Sequence, residues 1–238
     1  MVAQYAQPQS VQKITQNFVY CSKNDYSCAM KRNVVASLGN VPVTSAIVAS
    51  LFPEIKAVNK KISDLESAGE LLRLKRGMFV VSPEVSSCKL STELIANHLY
   101  SPSYVSMQTA LRYYGLIPEA VYTTQSMTLK HSRSFRNKIG CFDYVQTSHE
   151  AFVIGLTMQT SNNACFVMAS PEKALCDLIA NSSNVVLRYK SDALGYLDDF
   201  LRFDMDYLPR LDKSVLEQYA AVGKKPQSIR TILKLLYE

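Results

Sequence analysis

The fold of the N-terminal part depends on residues 53–81, which read PEIKAVNKKISDLESAGELLRLKRGMFVV. The first half has apolar residues at helical spacing and predicts a helix that begins at Pro53 and runs to about Ser67. After Gly69 the apolar period becomes strand-like, which predicts a hairpin with strands over 71–74 and 78–81. The Lys-Arg-Gly sequence between those strands predicts a basic turn.

Two further helices are predicted ahead of this stretch. The first covers Ala29–Leu38 and ends at Gly39, and the second runs from Thr44, as N-cap, to Leu51. Three helices followed by a basic hairpin form the order of a winged helix-turn-helix, whose third helix enters the major groove of DNA. The sequence therefore predicts such a domain near the N-terminus.

The whole chain is predicted to be α+β and to have three parts. These are a leader at 1–27, a winged helix-turn-helix DNA-binding domain at 28–88, and a larger α+β domain at 89–238 that ends in helices. In the larger domain, helices are predicted at 93–100, 106–114 and 170–180, and in segments after 191. Ser170, followed by Pro171 and Glu172, is an N-cap signature, and capping explains the start of the helix at 170–180 without a ligand. Strands are predicted at 121–126, 134–137, 141–146, 152–158 and 165–168.

The positive charge of the chain is concentrated toward its start. Residues 1–90 hold 11 Lys and Arg against 6 Asp and Glu, a balance of +5, whereas residues 91–238 hold 15 against 14, a balance of +1. A basic balance is common among soluble domains, so it becomes informative only beside a DNA-binding motif. Here it coincides with the predicted winged helix.

The candidate DNA-binding residues lie on the third helix and the hairpin. Lysine suits guanine or phosphate and asparagine suits adenine, although a solvated helix face is the usual reason for exposed lysines. The hairpin cations are placed to contact phosphate or the minor groove, and a solvated turn is the plain alternative. The predicted set is Lys56, Asn59, Lys60, Ser63, Arg73, Lys75 and Arg76.

A second basic cluster, interleaved with aromatic residues, follows later in the chain. It consists of Lys130, Arg133, Arg136 and Lys138, with Phe135 among them. Charge and stacking are features of nucleic-acid binding, and cations also guard an exposed strand edge against aggregation. From the sequence, both interpretations stay open.

No catalytic, metal or cofactor motif is found in the sequence. The glycines form no nucleotide-binding loop, the six cysteines include no CxxC pair, and free, mostly buried thiols are expected. The acidic run at 198–206 is interpreted as a solvated helix end. With no secretory signal and no membrane-spanning run, we expect a cytoplasmic protein that is not an enzyme, uses no cofactor and does not engage a membrane.

Several segments together resemble the AbiEi-type antitoxin and transcriptional regulator family of type IV toxin-antitoxin systems. The resemblance covers roughly residues 40–180. It rests on DLESAGELLRLKRGMFVV at 64–81, ELIANHLY at 93–100, SYVSMQTAL at 103–111, YGLIPE at 114–119 and ASPEKALCD at 169–177. It implies a winged helix that binds double-stranded DNA at inverted repeats in its own promoter. It also implies a C-terminal domain that counters a nucleotidyltransferase toxin.

Two alternatives remain at this stage. One is a nucleic-acid-modifying enzyme with a nuclease-like C-terminal domain, which a cleft gathering Asp143, Glu150 and either Glu172 or Asp177 around a metal would favour. The other is an adaptor that uses the winged helix for protein contacts. An acidic surface over the third helix would favour the adaptor.

Overall fold

The computed structural model describes residues 34–237, so the predicted leader at 1–27 and the first half of the first predicted helix, residues 29–33, lie outside the described residues. The described chain is a mixed α+β structure, as predicted, with one three-stranded and one six-stranded sheet. A smaller hydrophobic cluster and a larger one fill the interior.

The described chain opens on helical residues 34–36, which are followed by β1 (Val43–Thr44), α1 (Ser45–Ser50) and α2 (Val58–Ser67). The hairpin of β2 (Leu71–Lys75) and β3 (Met78–Val81) completes this part. The Thr44 side chain accepts a hydrogen bond from the Ile47 backbone N–H, so the predicted N-cap is confirmed.

The predicted start of the third helix is wrong. Pro53 lies in a turn that the Ile55 N–H closes on the Phe52 carbonyl at 3.0 Å, and the helix begins only at Val58. Proline is favoured at the second position of such a turn because its ring presets φ, which explains its presence without a helix. Lys56 therefore precedes the helix, whose N-cap residue is Ala57.

The small sheet has the order β1-β3-β2, and each of its faces contributes buried residues. Leu71, Phe79 and Val81 belong to the smaller cluster with the helices, whereas Leu74 and Val80 belong to the larger cluster. The alternation of side chains along a strand thus divides the hairpin between the two cores. The boundary near residue 88 stays a prediction.

After α3 (Pro83–Ser86), the chain builds the larger sheet in the order β6-β7-β5-β4-β9-β8, with both parallel and antiparallel pairs. Edge strands are β6 and β8. The strands are β4 (Ser103–Val105), β5 (Thr123–Thr128), β6 (Arg133–Arg136), β7 (Cys141–Gln146), β8 (Leu156–Ser161) and β9 (Ala164–Ala169).

Helices pack around this sheet and close the chain. They are α4 (Thr92–Leu99), α5 (Met107–Tyr113), α6 (His149–Phe152), α7 (Pro171–Asn181), α8 (Lys190–Gly195), α9 (Lys213–Val222) and α10 (Pro226–Leu235). Within residues 34–237, no helix combines the length and the apolar character needed to span a membrane.

The strand predicted over 152–158 is wrong in its first half. Ser148 caps the short helix α6, which ends at Phe152, and Gly155 then adopts a left-handed conformation with φ +58°. A Cβ at Gly155 would lie 2.9 Å from the Lys173 Cβ, so close packing requires glycine there. The short strand β4 was not predicted, because three residues give too little alternation to recognise.

Candidate nucleic-acid interface

The predicted polar face of α2 is exposed to solvent. Asn59, Lys60 and Ser63 are exposed on the helix, and Lys56 is exposed in the turn before it. The opposite side buries Ile62 and Leu65 in the smaller cluster. The helix therefore presents amide, hydroxyl and ammonium groups at positions from which they could reach a groove of DNA.

Arg73, which was predicted to bind DNA, makes two contacts, one with α2 and one with β3 of the hairpin. Its Nε donates to the Glu66 Oε1 of α2 at 2.7 Å, and its guanidinium lies 5.0 Å from the centre of the Phe79 ring. The hydrogen bond from Arg73 is the main reason that the pKa of the Glu66 carboxyl lies below its usual range. Arg73 thus ties the hairpin to α2 and neutralises the nearest acid.

The other two hairpin cations differ from each other. The Lys75 Nζ donates to the Leu99 carbonyl at the end of α4 at 2.6 Å, so this side chain is half-buried against α4. Burial, and then the neighbouring charges of Lys130 and Arg133, lower the pKa of Lys75. Arg76 lies in the turn itself and is exposed.

The second basic cluster is positioned by aromatic rings. The Lys130 ammonium lies 5.3 Å from the Tyr100 ring centre, and the Arg133 guanidinium lies 4.8 Å from that of Phe135. The Tyr100 and Phe135 rings are themselves in contact, with centroids 5.6 Å apart. These cation–π contacts hold the two charges at the surface of the β6 edge rather than leaving them free to sample solvent.

The two basic clusters meet in space although about 60 residues separate them in sequence. The Asn137 side chain donates to the Leu74 carbonyl of β2 at 3.2 Å, which joins the loop after β6 to the hairpin. Between them lies a groove of about 340 Å³. We call this the basic groove, and its charged lining residues are Glu66, Arg73, Lys75, Arg76, Arg136 and Lys138.

A polar network missed by the sequence analysis lies in the larger core. The Lys173 ammonium contacts the Asp177 Oδ1 at 3.0 Å, and both side chains are fully buried. The Tyr104 and Ser106 hydroxyls donate to the Asp177 Oδ2 at 3.0 and 2.7 Å. The Tyr219 hydroxyl of α9 donates to Oδ1 at 3.2 Å. Burial raises the pKa of Asp177, while the nearby ammonium opposes that rise.

This network joins β4, α7 and α9, and the Lys173 and Asp177 side chains at its centre are inaccessible to solvent. The predicted cap at Ser170 is confirmed, since its hydroxyl accepts from the Lys173 N–H. From the sequence, residues 170–173 were interpreted as a helix cap and nothing more. The signal that was not used is a Lys and an Asp four residues apart, with only apolar residues between them and in the three positions after Asp177.

The carboxylates named for a nuclease are not brought together. Asp177 belongs to the buried network, the Glu172 Oε1 accepts from the Asp212 N–H, and Glu150 is exposed on α6. Asp143 lies on β7 opposite Ser134. Among residues 34–237, no three His, Cys, Asp or Glu side chains could hold a metal ion together.

The cysteine prediction is partly wrong. The four described cysteines are free, but only Cys176 is buried, while Cys165 is exposed and Cys88 and Cys141 are half-buried. Cys165 and Cys141 alternate along their strands with the buried Phe166 and Phe142, so their side chains point away from the larger core. Cys21 and Cys28 lie outside the described residues.

The comparisons with known proteins add no relationship to this geometry. No protein-family model matches the chain, and no curated protein matches it.

Proposed function

We propose that this protein is a DNA-binding transcriptional autoregulator in which residues 28–88 act as a winged helix-turn-helix. The observation that carries the proposal is the basic groove, where cations from the hairpin and from the β6 loop line one surface. Its single acid, Glu66, is already paired with Arg73. Such a surface matches the phosphate backbone of a double helix.

In this proposal α2 and the basic groove have different tasks. The exposed Asn59 and Lys60 read base edges in the major groove, and the hairpin acts as the wing. Arg76, Arg136 and Lys138 contact phosphates and set the register of the protein on the duplex. The cations of the second cluster also guard the β6 edge, and this role is compatible with phosphate binding.

The groove is tested by the salt dependence of DNA binding. The variant with Arg76→Ala, Arg136→Ala and Lys138→Ala is compared with the wild type by fluorescence anisotropy on the DNA upstream of its own reading frame. Because each phosphate contact contributes about 0.9 to the slope of log K against log salt, losing three contacts lowers that slope by about 2.7. Duplexes of scrambled sequence report non-specific binding.

A charge-matched control separates the groove from bulk charge. Lys224, Arg230 and Lys234 are exposed on or beside the C-terminal helices, and their change to alanine removes the same three charges. The control variant should keep the wild-type slope. Equal losses in both variants would show that DNA binding follows net charge alone, and an unchanged slope in the groove variant would overturn the proposal.

We further propose, on the resemblance to AbiEi-type regulators, that the protein is the antitoxin of a type IV system and that it opposes a nucleotidyltransferase toxin. In that role it is a regulator and not an enzyme. The test is co-expression with a nucleotidyltransferase encoded beside it, read out as recovery of growth. Growth arrest that this protein does not relieve would remove the antitoxin role and leave the DNA-binding role standing.

A further inference from the structure

The two edges of the larger sheet differ in charge. The β6 edge carries Arg133 and Arg136 and is flanked by Lys130 and Lys138, which keeps other chains away. The β8 edge carries Leu-Thr-Met-Gln-Thr-Ser, and no Asp, Glu, Lys or Arg occurs anywhere from Ala151 to Pro171. The β8 edge therefore lacks the charges that protect the other edge.

The hydrogen-bonding groups of β8 are arranged for a further strand. The two-residue turn at Asn162–Asn163, with both φ angles positive, makes Ser161 and Ala164 a hydrogen-bonded pair. The Ser170 N–H bonds the Gly155 carbonyl at 2.8 Å, in the same alternation. Leu156, Met158 and Thr160 therefore point their backbone N–H and C=O groups outward, where no strand among residues 34–237 pairs with them.

An apolar groove lies beside this edge. It has a volume of about 450 Å³ and is formed between α4 and the β8–β9 hairpin. Leu94, Phe152, Leu156 and Val167 line it, together with Met158, whose side chain is 73% exposed. An exposed methionine beside an apolar groove is typical of a surface that binds another protein.

We propose that β8 pairs antiparallel with β8 of a second copy of this chain. The uncharged β8 edge favours a second copy, because a twofold pairing of this strand with itself places no charge opposite another, although each chain carries a net charge of +6. A twofold axis at Met158 opposes Met158 to itself and Leu156 to Thr160 of the other copy. All these residues are uncharged, and the six-stranded sheets join into one.

The proposed register, centred on Met158, predicts specific contacts between the two strands. Pairing about Met158 forms up to about six backbone hydrogen bonds and brings both Met158 side chains over the two apolar grooves. A single strand with its groove covers less than the roughly 1,200 Å² of a standard interface, so the dimer is expected to be weak, with a dissociation constant in the micromolar range. This pairing does not depend on DNA binding.

The first experiment measures mass by sedimentation equilibrium, without DNA, at concentrations from about 1 to 200 μM. The wild type should move from 26.6 kDa toward twice that mass. Met158→Lys should remain a monomer at every concentration, because it opposes two ammonium groups across the axis. Ser134→Lys, which adds the same charge to the β6 edge, should dimerise like the wild type.

The second experiment tests the register through engineered cysteines. In a hydrogen-bonded antiparallel pair the Cα atoms are about 5.5 Å apart and the Cβ atoms lie about as far apart, which is too wide for an unstrained disulfide but within reach of a methanethiosulfonate cross-linker with a two-carbon spacer, so Met158→Cys should be cross-linked by that reagent. Thr160→Cys should not, because the two copies of that residue would lie about 14 Å apart. Both are made in a Cys165→Ser background.

Three results would contradict the proposal. A wild type that stays monomeric at the highest concentration contradicts it, and so does a Met158→Lys variant that dimerises as the wild type does. Cross-linking of Thr160→Cys but not of Met158→Cys would contradict the register on which the pairing is argued. Since DNA is absent from both experiments, these outcomes are separate from failure of the proposed function.

Discussion

Removing the Asp177 carboxylate tests whether the buried polar network stabilises the larger core. Asp177→Ala leaves the Lys173 ammonium fully buried without its counter-ion. It also takes the acceptor from the Tyr104, Ser106 and Tyr219 hydroxyls. Breaking a buried ion pair by removing one partner costs about 3–5 kcal/mol in the free energy of unfolding. For a chain of this size, each kcal/mol lowers the midpoint of thermal unfolding by about 2–4 °C.

The expected result is a midpoint lowered by about 6–20 °C, measured by differential scanning calorimetry. Asp198→Ala, an exposed acid on the segment after α8, is the control and should change the free energy of unfolding by less than about 0.5 kcal/mol. Adding Lys173→Met to Asp177→Ala should restore part of the loss, because no unpaired charge then remains. A loss below about 1 kcal/mol, or a double variant whose loss equals the two single losses together, would refute this reasoning.

Three further predictions concern the proposed DNA-binding unit and its pH dependence. Asn59→Ala should cost about 1–3 kcal/mol of binding on the upstream DNA and little on scrambled DNA, and equal losses on both would remove its role in base reading. Arg76→Ala should lower the salt slope by about one unit, whereas Lys75→Ala should mainly lower thermal stability, because its ammonium faces a backbone carbonyl. Equal slope changes with unchanged stability would contradict that division. Glu66→Gln should cost less than about 1 kcal/mol at pH 7, because the pair is exposed. The lowered folded-state pKa of Glu66 means that its contribution is lost as pH falls below about 4.5, so melting curves of the two proteins should converge there.

The sequence predicted the elements whose signals are local. The hairpin strands follow from their alternation, and the caps at Thr44 and Ser170 follow from residue type and position. The start of α2 was misplaced because Pro53 is equally suited to a turn and to a first helical position. Local chemistry alone does not separate those two uses.

The candidate site could be predicted in part. The exposed face of α2 and both basic clusters were found in the sequence, but their convergence depends on the long-range contact from Asn137 to the Leu74 carbonyl. Long-range pairing leaves no trace in spacing or composition. The same holds for Lys75, which was predicted to lie at the hairpin tip as a contact to phosphate or the minor groove, and which donates to the Leu99 carbonyl.

The division of the hairpin between two cores determines how the proposed reading unit moves. Leu74 and Val80 are buried in the larger cluster, and pulling them into water would cost about 3–6 kcal/mol together. A pivoting motion of the hairpin is therefore as rare as a substantial unfolding event, and its amides should exchange with deuterium as slowly as those of the larger core. In the proposed pair of copies joined at β8, each hairpin would then hold a fixed position, and the spacing of two DNA half-sites would be fixed with it. Lengthening the spacer between the half-sites by half a helical turn should therefore abolish joint occupancy.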